Sequence, residues 1–480
     1  MNWKEKAIKY LKDSLYPIPT ELNEIDWKSG LSPKLDRLAQ HLCAFSNQED
    51  GGFLVFGVNN DATLFSVTKE QADETVRTLG NIALNNLSQS IQIQHNTIEY
   101  DGNALLFVYI PEQTEKPVYL RGKTIYDSYH RSAGQTVKMS PQEVKQIIAQ
   151  SQGLLFHEQY AMTKVIADDV LRLLDYNCYF QLTGRNFPES KSVIIDALAN
   201  EEFIEKQGDY WIITNLGAIL FARDLTKFKG LQFKTLRIII YTGKGRIDAH
   251  PEVNFKEGYA CGFEHFIQFI MERTSVEVIE KVFREVKETY PERTVREFLA
   301  NALIHQDLWQ SGTHTMVEIF PDRIEMTNPG TPLVDVNRFI DAPPKSRNDK
   351  IAILMHLFDF CELRGSGVDR AIKAVEDAYL PAPEFIKGTD YTKVFIYPKK
   401  TFSQMSKEDR IRACYQHCCL KYIEKEPMSN QSLRIRMEIN EENAAMVSRI
   451  IKDTINSGFI KVFRPNNTSR KHAKYIPFWA

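Results

Sequence analysis

Nowhere in these 480 residues is there an apolar run close to the roughly 20 residues that cross a bilayer. The strongest, LRIIIY at 236–241, is strand-sized. The opening MNWKEKAIKYLKDSLY sets lysine and glutamate among apolar residues, the pattern of an amphipathic helix and not of a secretory leader. Net charge is almost absent as well: −2 overall, so bulk charge gives no attraction to nucleic acid and only local asymmetry could. There is no GxxxxGK[ST] loop. Gly243-Lys244-Gly245 is too short and reads as a strand-end turn, which excludes a helicase engine built on that loop. Internal repeats and low-complexity tracts are missing too. Cysteines number seven and are scattered, apart from Cys414, Cys418 and Cys419 beside His417; such usage predicts reduced thiols and a cytoplasmic location. That cluster falls on one predicted helix without a second ligand pair, so buried helix cysteines are expected and not a metal centre. What remains is a globular composition, 43% apolar and 25% charged, on a chain long enough for about three domains.

Periodicity divides the chain further. A helix is predicted over 1–15, ended by the prolines of YPIPTE. Helices follow at about 33–47 and 70–90, with strands in GGFLVFGV, IQIQHNTIEY and ALLFVYIP, an α+β pattern filling 1–150. Residues 151–225 read as helices around 161–174 and 190–200, then a hairpin turning at Gln207-Gly208-Asp209, like a small winged-helix unit. Residues 226–400 form a second α/β region, with a long helix near 255–274 and strands in TMVEIF, RIEMTN and KVFIYP. Residues 401–480 are mostly helical.

The segment TVREFLANALIHQDL at 294–308 poses the sharpest question. Its helix is strongly apolar, yet Glu297, Asn301 and His305 recur every fourth residue and so form one leaning stripe. A solvated polar stripe is the plain explanation. The chemical one is metal–nucleotide work: an amide oxygen can ligate Mg²⁺ between phosphates while a carboxylate orients or deprotonates water. Downstream stand DRIEMTNPGTP (322–332), PPKSRND (343–349) and ELRGSGVDRA (362–371). Gly365-Ser366-Gly367 directly precedes a helix, where backbone N–H groups and the dipole favour an anion.

Helix, strand–NPG turn, SRN and GSG–helix, in that order over about 110 residues, resemble the GHKL (Bergerat) ATP-binding α/β sandwich. More closely they resemble its bacterial regulator branch, labelled divergent AAA or RecG-like. That resemblance implies ATP and Mg²⁺ as cofactors. It makes Glu297 the water-activating base, Asn301 the Mg²⁺ ligand, and Asn328 to Gly330 the adenine-side turn. Gly365, Ser366 and Gly367 would belong to the phosphate lid and Arg347 would contact phosphate or hold structure. GHKL proteins generally carry aspartate where this chain has Asn328, whose amide oxygen can still accept from an amino group. His305 and Asp307 are typical of the branch, with a structural role at the helix end expected.

Near the N-terminus, TELNEIDWKSG brings Glu21, Glu24 and Asp26 together within six residues. A solvated edge and a catalytic set both fit. The succession of these acids with Lys28, then CAFSN, then GGFLVFGVNND, resembles the Schlafen–AlbA domain across about 20–145, with SYHRSAGQTVKMSPQEV as its closing strand. Some relatives of that family cleave RNA with two such acids plus an aspartate after the GV strand. Here Glu21 and Asp26 match, whereas Asn59 and Asn60 stand in that place and Asp61 comes late. The resemblance therefore implies either a metal-dependent nuclease site of Glu21, Asp26 and Asp61, or a non-catalytic nucleic-acid-binding or dimerising domain.

At the other end, MSNQSLRIRM reads as the opening of a helix-turn-helix with Ser429 or Asn430 as N-cap. The next helix turns Val447, Ile450, Ile451 and Ile455 inward and Ser448, Arg449 and Lys452 outward. A two-stranded wing turning at Pro465-Asn466-Asn467 completes a winged helix. Arg434, Arg436, Arg449, Lys452, Arg464, Arg470, Lys471 and Lys474 would meet DNA phosphates or base edges, with RNA the alternative. The final RKHAKYIPFWA resembles the ending of the same regulator family. The whole chain thus reads as an α+β multidomain protein: Schlafen–AlbA domain (1–150), winged-helix-like linker (151–225), GHKL-like ATPase (226–400), winged helix (401–480). An ATP-binding, DNA-binding transcriptional regulator, dimeric or larger and not membrane-bound, is the expected function. An ATP-gated nuclease, plausible in phage defence, or a scaffold with a degenerate site are the alternatives.

Overall fold

A computed structural model describes the chain except residues 1, 17, 18, 20, 133, 248–251, 281, 282, 344, 363, 364 and 464–472; side chains at 142, 150, 277–280 and 283–287 are also left undescribed. It divides into two compact units, Met1–Leu155 and Phe156–Ala480.

In the first unit the elements run α1 (Trp3–Leu15), β1 (Ile25–Lys28), α2 (Leu35–Asn47), β2 (Gly52–Phe56), α3 (Lys69–Asn85), β3 (Gln94–Tyr100), β4 (Asn103–Ile110), β5 (Tyr129–Ser132), β6 (Gln135–Lys138) and α4 (Pro141–Ser151). The four-stranded sheet has order β1-β2-β4-β3. Its β1–β2 pair is parallel, joined by α2 as parallel strands require. The fully apolar β2 is buried throughout. Leu54 and Phe56 face α2 and α3, while Phe53 and Val55 face α1. Alternation along one strand thereby fills two cores. The expected closing strand over 128–144 is instead the β5–β6 hairpin followed by α4.

The second unit begins with β7 (Tyr160–Val165), α5 (Ala167–Leu173), α6 (Tyr176–Thr183), α7 (Lys191–Asn200), β8 (Ile204–Gln207), β9 (Tyr210–Thr214) and α8 (Asn215–Phe221). The hairpin β8–β9 turns where predicted. The helix predicted over 161–174 does not form as such. Residues 160–165 are a bulged strand on β9, and Lys164 has φ 57°, outside helical geometry. The buried pair Ala161 and Val165, four apart, had imitated a helical stripe.

Then follow β10 (Leu236–Ile240), β11 (Val253–Phe255), α9 (Tyr259–Thr274), the pair β12 (Val276–Glu280) and β13 (Phe283–Lys287), α10 (Glu292–Ile304), β14 (Thr315–Phe320), β15 (Arg323–Pro329), α11 (Asp349–Leu357), α12 (Gly367–Asp377), β16 (Glu384–Lys387) and β17 (Tyr391–Ile396). The six-stranded sheet runs β11-β10-β14-β15-β17-β16. Val317, Ile319, Ile324, Met326, Val394 and Ile396 share the core with Phe298, Leu299 and Leu303 of α10 and Ala371 and Ile372 of α12. Last come α13 (Lys407–Ile423), β18 (Met428–Ser429), α14 (Asn430–Arg436), α15 (Ala444–Asn456), β19 (Ile460–Phe463) and β20 (Lys474–Pro477), the last strands forming a sheet of order β18-β20-β19. Ser429 caps α14 by accepting from Ser432 N–H. The expected turn at 465–467 and Arg464, Arg470 and Lys471 lie outside the described residues. Among the described residues no helix is long and apolar enough to cross a membrane.

Candidate functional sites

In the second unit, α10, β15, the segment after it, and the start of α12 enclose a cavity of about 430 Å³. Glu297, Asn301 and His305 all line it, so the polar stripe faces a cavity and not solvent. Asn328, Gly365 and Gly367 line it too, together with Phe298, Leu333, Phe339, Phe385 and Val394. The wall is thus largely apolar with a few convergent polar groups, the usual makeup of a small-molecule site.

Burial raises the Glu297 carboxyl to about 7, against a stabilising hydrogen bond from Asn301 Nδ2 (3.3 Å). Its neighbour Gly367 explains itself by contact: a Cβ there would lie 1.8 Å from Glu297 Oε1. Glu297 therefore sits against the first residue of α12. Burial and the Arg347 charge depress His305 to about 4, so its ring is neutral at pH 7.

Asn328 is buried, and its Nδ2 donates to the Pro329 carbonyl (3.2 Å). Gly330 has φ 100°, and a side chain there would strike Arg347 and Asp307. Arg347 does not line the cavity. Its guanidinium donates to the carbonyls of His305 (3.3 Å) and Thr331 (3.1 Å), lacing the end of α10 to the NPG turn. Asp307 accepts from Trp309 N–H (3.0 Å) while its own N–H donates to the Pro329 carbonyl (2.8 Å). Both residues thus hold the helix end. Ser366 is the N-cap position of α12, its hydroxyl bonded to Glu362 (3.3 Å). Sequence reasoning missed Glu362, Phe385 and Thr392 of the wall, which carry no signal beyond ordinary strand and loop composition.

The first unit holds a polar cleft of about 870 Å³ that includes Glu21, Asp26, Lys28, Lys34, Arg37, His41, Arg131 and Thr136. Asp26 is 1% exposed and held by two cations and an imidazole. Arg131 Nη1 donates to its Oδ2 (2.8 Å), His41 Nδ1 lies 2.9 Å from the same oxygen, and Lys28 holds Oδ1. These partners keep the Asp26 carboxyl well below the usual range despite burial. Glu21 goes the other way, raised by burial and by the charge of Asp26, to which it is hydrogen-bonded. Its Oε1 accepts from Trp27 N–H (3.1 Å). Arg131 also bonds Thr136 (3.0 Å) and stacks 4.9 Å from the Phe45 ring.

The expected triad of Glu21, Asp26 and Asp61 is not assembled. Asp61 does not line the cleft; it accepts from Thr63 N–H (3.0 Å) and hydroxyl (2.6 Å) in an exposed turn. His41 and Arg131, which reach Asp26 from α2 and the β5–β6 hairpin, carry no local sequence signal of that role.

Among the proposed DNA contacts, Arg436 is corrected. It is 7% exposed, its Nη2 donating to the Leu380 carbonyl (2.6 Å) and its Nε facing Glu376 (3.4 Å). Position i+3 from the buried Leu433 turned it to the same inner face. Arg434 is mostly buried and lies 3.9 Å from Glu441. Arg449, Lys452 and Lys474 are exposed. Cys414, Cys418 and Cys419 are free and buried. Among the described residues no group of three ligating side chains could hold a metal ion.

Residues 21–140 match the family described as "Schlafen, AlbA_2". Residues 312–396 match the family described as "Putative ATP-dependent DNA helicase recG C-terminal", an HATPase-type domain. The chain therefore joins a Schlafen AlbA_2 domain to an HATPase-like domain in one α+β multidomain protein. The helix carrying Glu297 and Asn301 precedes the second match. No curated protein matches the chain. Two solved structures are similar to it. One is a Corynebacterium diphtheriae protein, 15% identical, covering 96% of this chain and 94% of its own, with a TM-score of 0.42. The other is the N-terminal domain of an ATP-dependent DNA helicase RecG-related protein from Nitrosomonas europaea, 21% identical, covering 28% of this chain and 92% of its own, with a TM-score of 0.20.

Proposed function

We propose that the second unit binds an adenine nucleotide with a divalent cation, and that the chain is a nucleotide-dependent, DNA-binding regulator. One observation carries the reading: Glu297, Asn301, Asn328, Gly365 and Gly367, drawn from three separated stretches, line one largely apolar cavity. The residues fit such a ligand. Asn301 commits its Nδ2 to Glu297 and keeps its carbonyl oxygen as a donor atom. A cation held by one amide must take its other ligands from phosphate oxygens and water, as Mg²⁺ commonly does. A bound nucleotide would supply the phosphoanhydride and the charge that orders the site. The apolar wall excludes water around the base, the start of α12 offers N–H groups to phosphate, and Glu297 stands where it can accept a proton from water.

For the DNA side, exposed Arg449 and Lys452 on α15 and Lys474 on β20 are the cations available for phosphate contacts. Paired or larger assembly and a cytoplasmic site of action complete the proposal. The Schlafen-like cleft we assign to nucleic-acid phosphate binding and not to metal-dependent cleavage, because both Asp26 oxygens are already engaged by cations.

Titration of the protein with ATP and Mg²⁺ tests the reading, with Asn301→Ala as control. Binding that the variant loses supports it. No binding by the unaltered protein would leave a fold that has lost its ligand.

A further inference from the structure

The wall of the cavity is gripped from outside by the C-terminal helices, at two places. Helix α12 begins at Gly367, against Glu297, and ends about 15 Å further along at Asp377. In its last turn Glu376 is nearly buried, and two different helices hold it: His417 Nδ1 of α13 lies 2.8 Å away and Arg436 Nε of α14 lies 3.4 Å away. Arg436 also takes the Leu380 carbonyl, just past the end of α12.

The second grip is on the segment after the NPG turn. Pro332, Leu333, Val334 and Phe339 line the cavity. Between them, the Asn337 carbonyl accepts from the Tyr415 hydroxyl of α13. That hydroxyl in turn accepts from Trp479 Nε1 (3.1 Å), and the Arg338 guanidinium lies 5.1 Å from the Trp479 ring. The same helix takes the carbonyls of Ala382 through Arg412 (2.9 Å) and of Pro383 through Gln416 (2.8 Å), two residues before the lining Phe385. Largely buried, hydrogen-bonded contacts of this kind transmit displacement because packed interiors do not absorb it.

We propose that helices α13 and α14 read the occupancy of the cavity, through Glu376 on α12 and through Asn337 and Arg338 on the adjoining wall. This rests on the nucleotide reading given above. It also gives Arg436 a function in place of the DNA contact it cannot make: it is a positioning residue that fixes α14 to the end of α12. Linkage makes the coupling reciprocal, so loosening the grip must alter ligand affinity although none of the gripping side chains reaches the cavity.

The test uses the full chain with a non-hydrolysable ATP analogue and Mg²⁺. Amide hydrogen exchange should slow at 297–305 and 365–368 on binding and change at 430–436 in the same titration. Glu376→Gln, which keeps size and removes the shared charge, should shift the affinity about fivefold or more and abolish the response at 430–436. Tyr415→Phe deletes only the hydroxyl on the other grip and should act in the same direction, which covers the case of a poorly folded Glu376→Gln. Slowed exchange at 297–305 with 430–436 unchanged and both variants binding normally would overturn the coupling and leave the nucleotide site standing. No change at 297–305 would remove both.

Discussion

Two carboxylates, one in each unit, are candidate catalytic acids by sequence, and the protein treats them in opposite ways. Asp26 is almost completely buried but meets Arg131, Lys28 and His41, and its proton is driven off. Glu297 is also desolvated, yet among the described residues its direct side-chain partner is a neutral amide, and its proton is retained to about pH 7. Burial acts on both in the same direction; the partners decide the outcome. A carboxylate saturated with cations is a structural tie and a poor metal ligand. One whose desolvation outweighs the pull of more distant cations is destabilised and chemically available, as active-site acids often are.

The largest expected effect breaks the first half of that comparison. Asp26→Ala leaves the Arg131 guanidinium, whose side chain is wholly buried, without its counter-ion. Losing one partner of a buried pair costs about 3–5 kcal/mol, so the variant should show early melting of the first unit in thermal unfolding of the chain. Asp26→Leu combined with Arg131→Met should recover most of that loss, because an apolar pair of similar volume avoids the desolvation penalty. If the double variant is as unstable as the single one, the cleft depends on more than this ion pair.

The second effect has the opposite sign. A folded-state pKa raised above the unfolded value means the ionised form is penalised. That cost is absent below about pH 4.5, grows as pH rises, and is complete above about pH 7. Glu297→Gln should therefore stabilise the protein by about 3 kcal/mol at pH 8 and by little at pH 4.5, readable as paired melting curves. Any nucleotide hydrolysis should rise with pH through about 7 and vanish in this variant. A destabilised Glu297→Gln at pH 8 would mean the carboxylate has a favourable partner that the comparison overlooks.

How far the sequence carried this contrast depends on distance along the chain. The strongly periodic elements α2, β2, β4, α9, α10 and α15 were legible, and so was the line of Glu297, Asn301 and His305, since a helix fixes its own side-chain directions. Asn328 and the GSG turn were recognisable only as parts of an ordered set of motifs. What could not be read was the environment. Arg131 is 105 residues from Asp26, and nothing local says which acid it will reach. Arg436 was misplaced for the same reason: a short helix allowed either face, and the burial of Glu376 on another helix decided. The strand at 160–165 failed because a bulge and one residue of positive φ break the alternation that identifies strands.

A smaller effect probes the contact at the head of α12. Gly367→Ala places a methyl group on the Glu297 carboxylate, which is the mobile end of a side chain and can swing aside. The stability change should stay within about 1 kcal/mol, since alanine also favours the helix. In a Glu297→Ala background the same substitution should be neutral or stabilising, and the difference between the two backgrounds measures the contact. Nucleotide affinity should fall in the single variant.

The smallest effect is expected at Asp61, and its smallness is informative. A metal-dependent triad would need this exposed side chain to leave Thr63 and join Glu21 and Asp26. Asp26 would at the same time have to exchange Arg131 and Lys28 for a divalent ion. Each step exchanges a formed charge-assisted or hydrogen-bonded contact for a new one, and among the described residues the third acid in the cleft's wall is Asp36, not Asp61. Asp61→Ala should leave both melting and Mn²⁺ titration of the chain unchanged, while Glu21→Ala should alter the pH dependence of the cleft through the proton it shares with Asp26. If instead Mn²⁺ binds and both variants abolish it equally, the cation-saturated Asp26 is only the resting form of a metal site, and the two carboxylates differ less than their present partners imply.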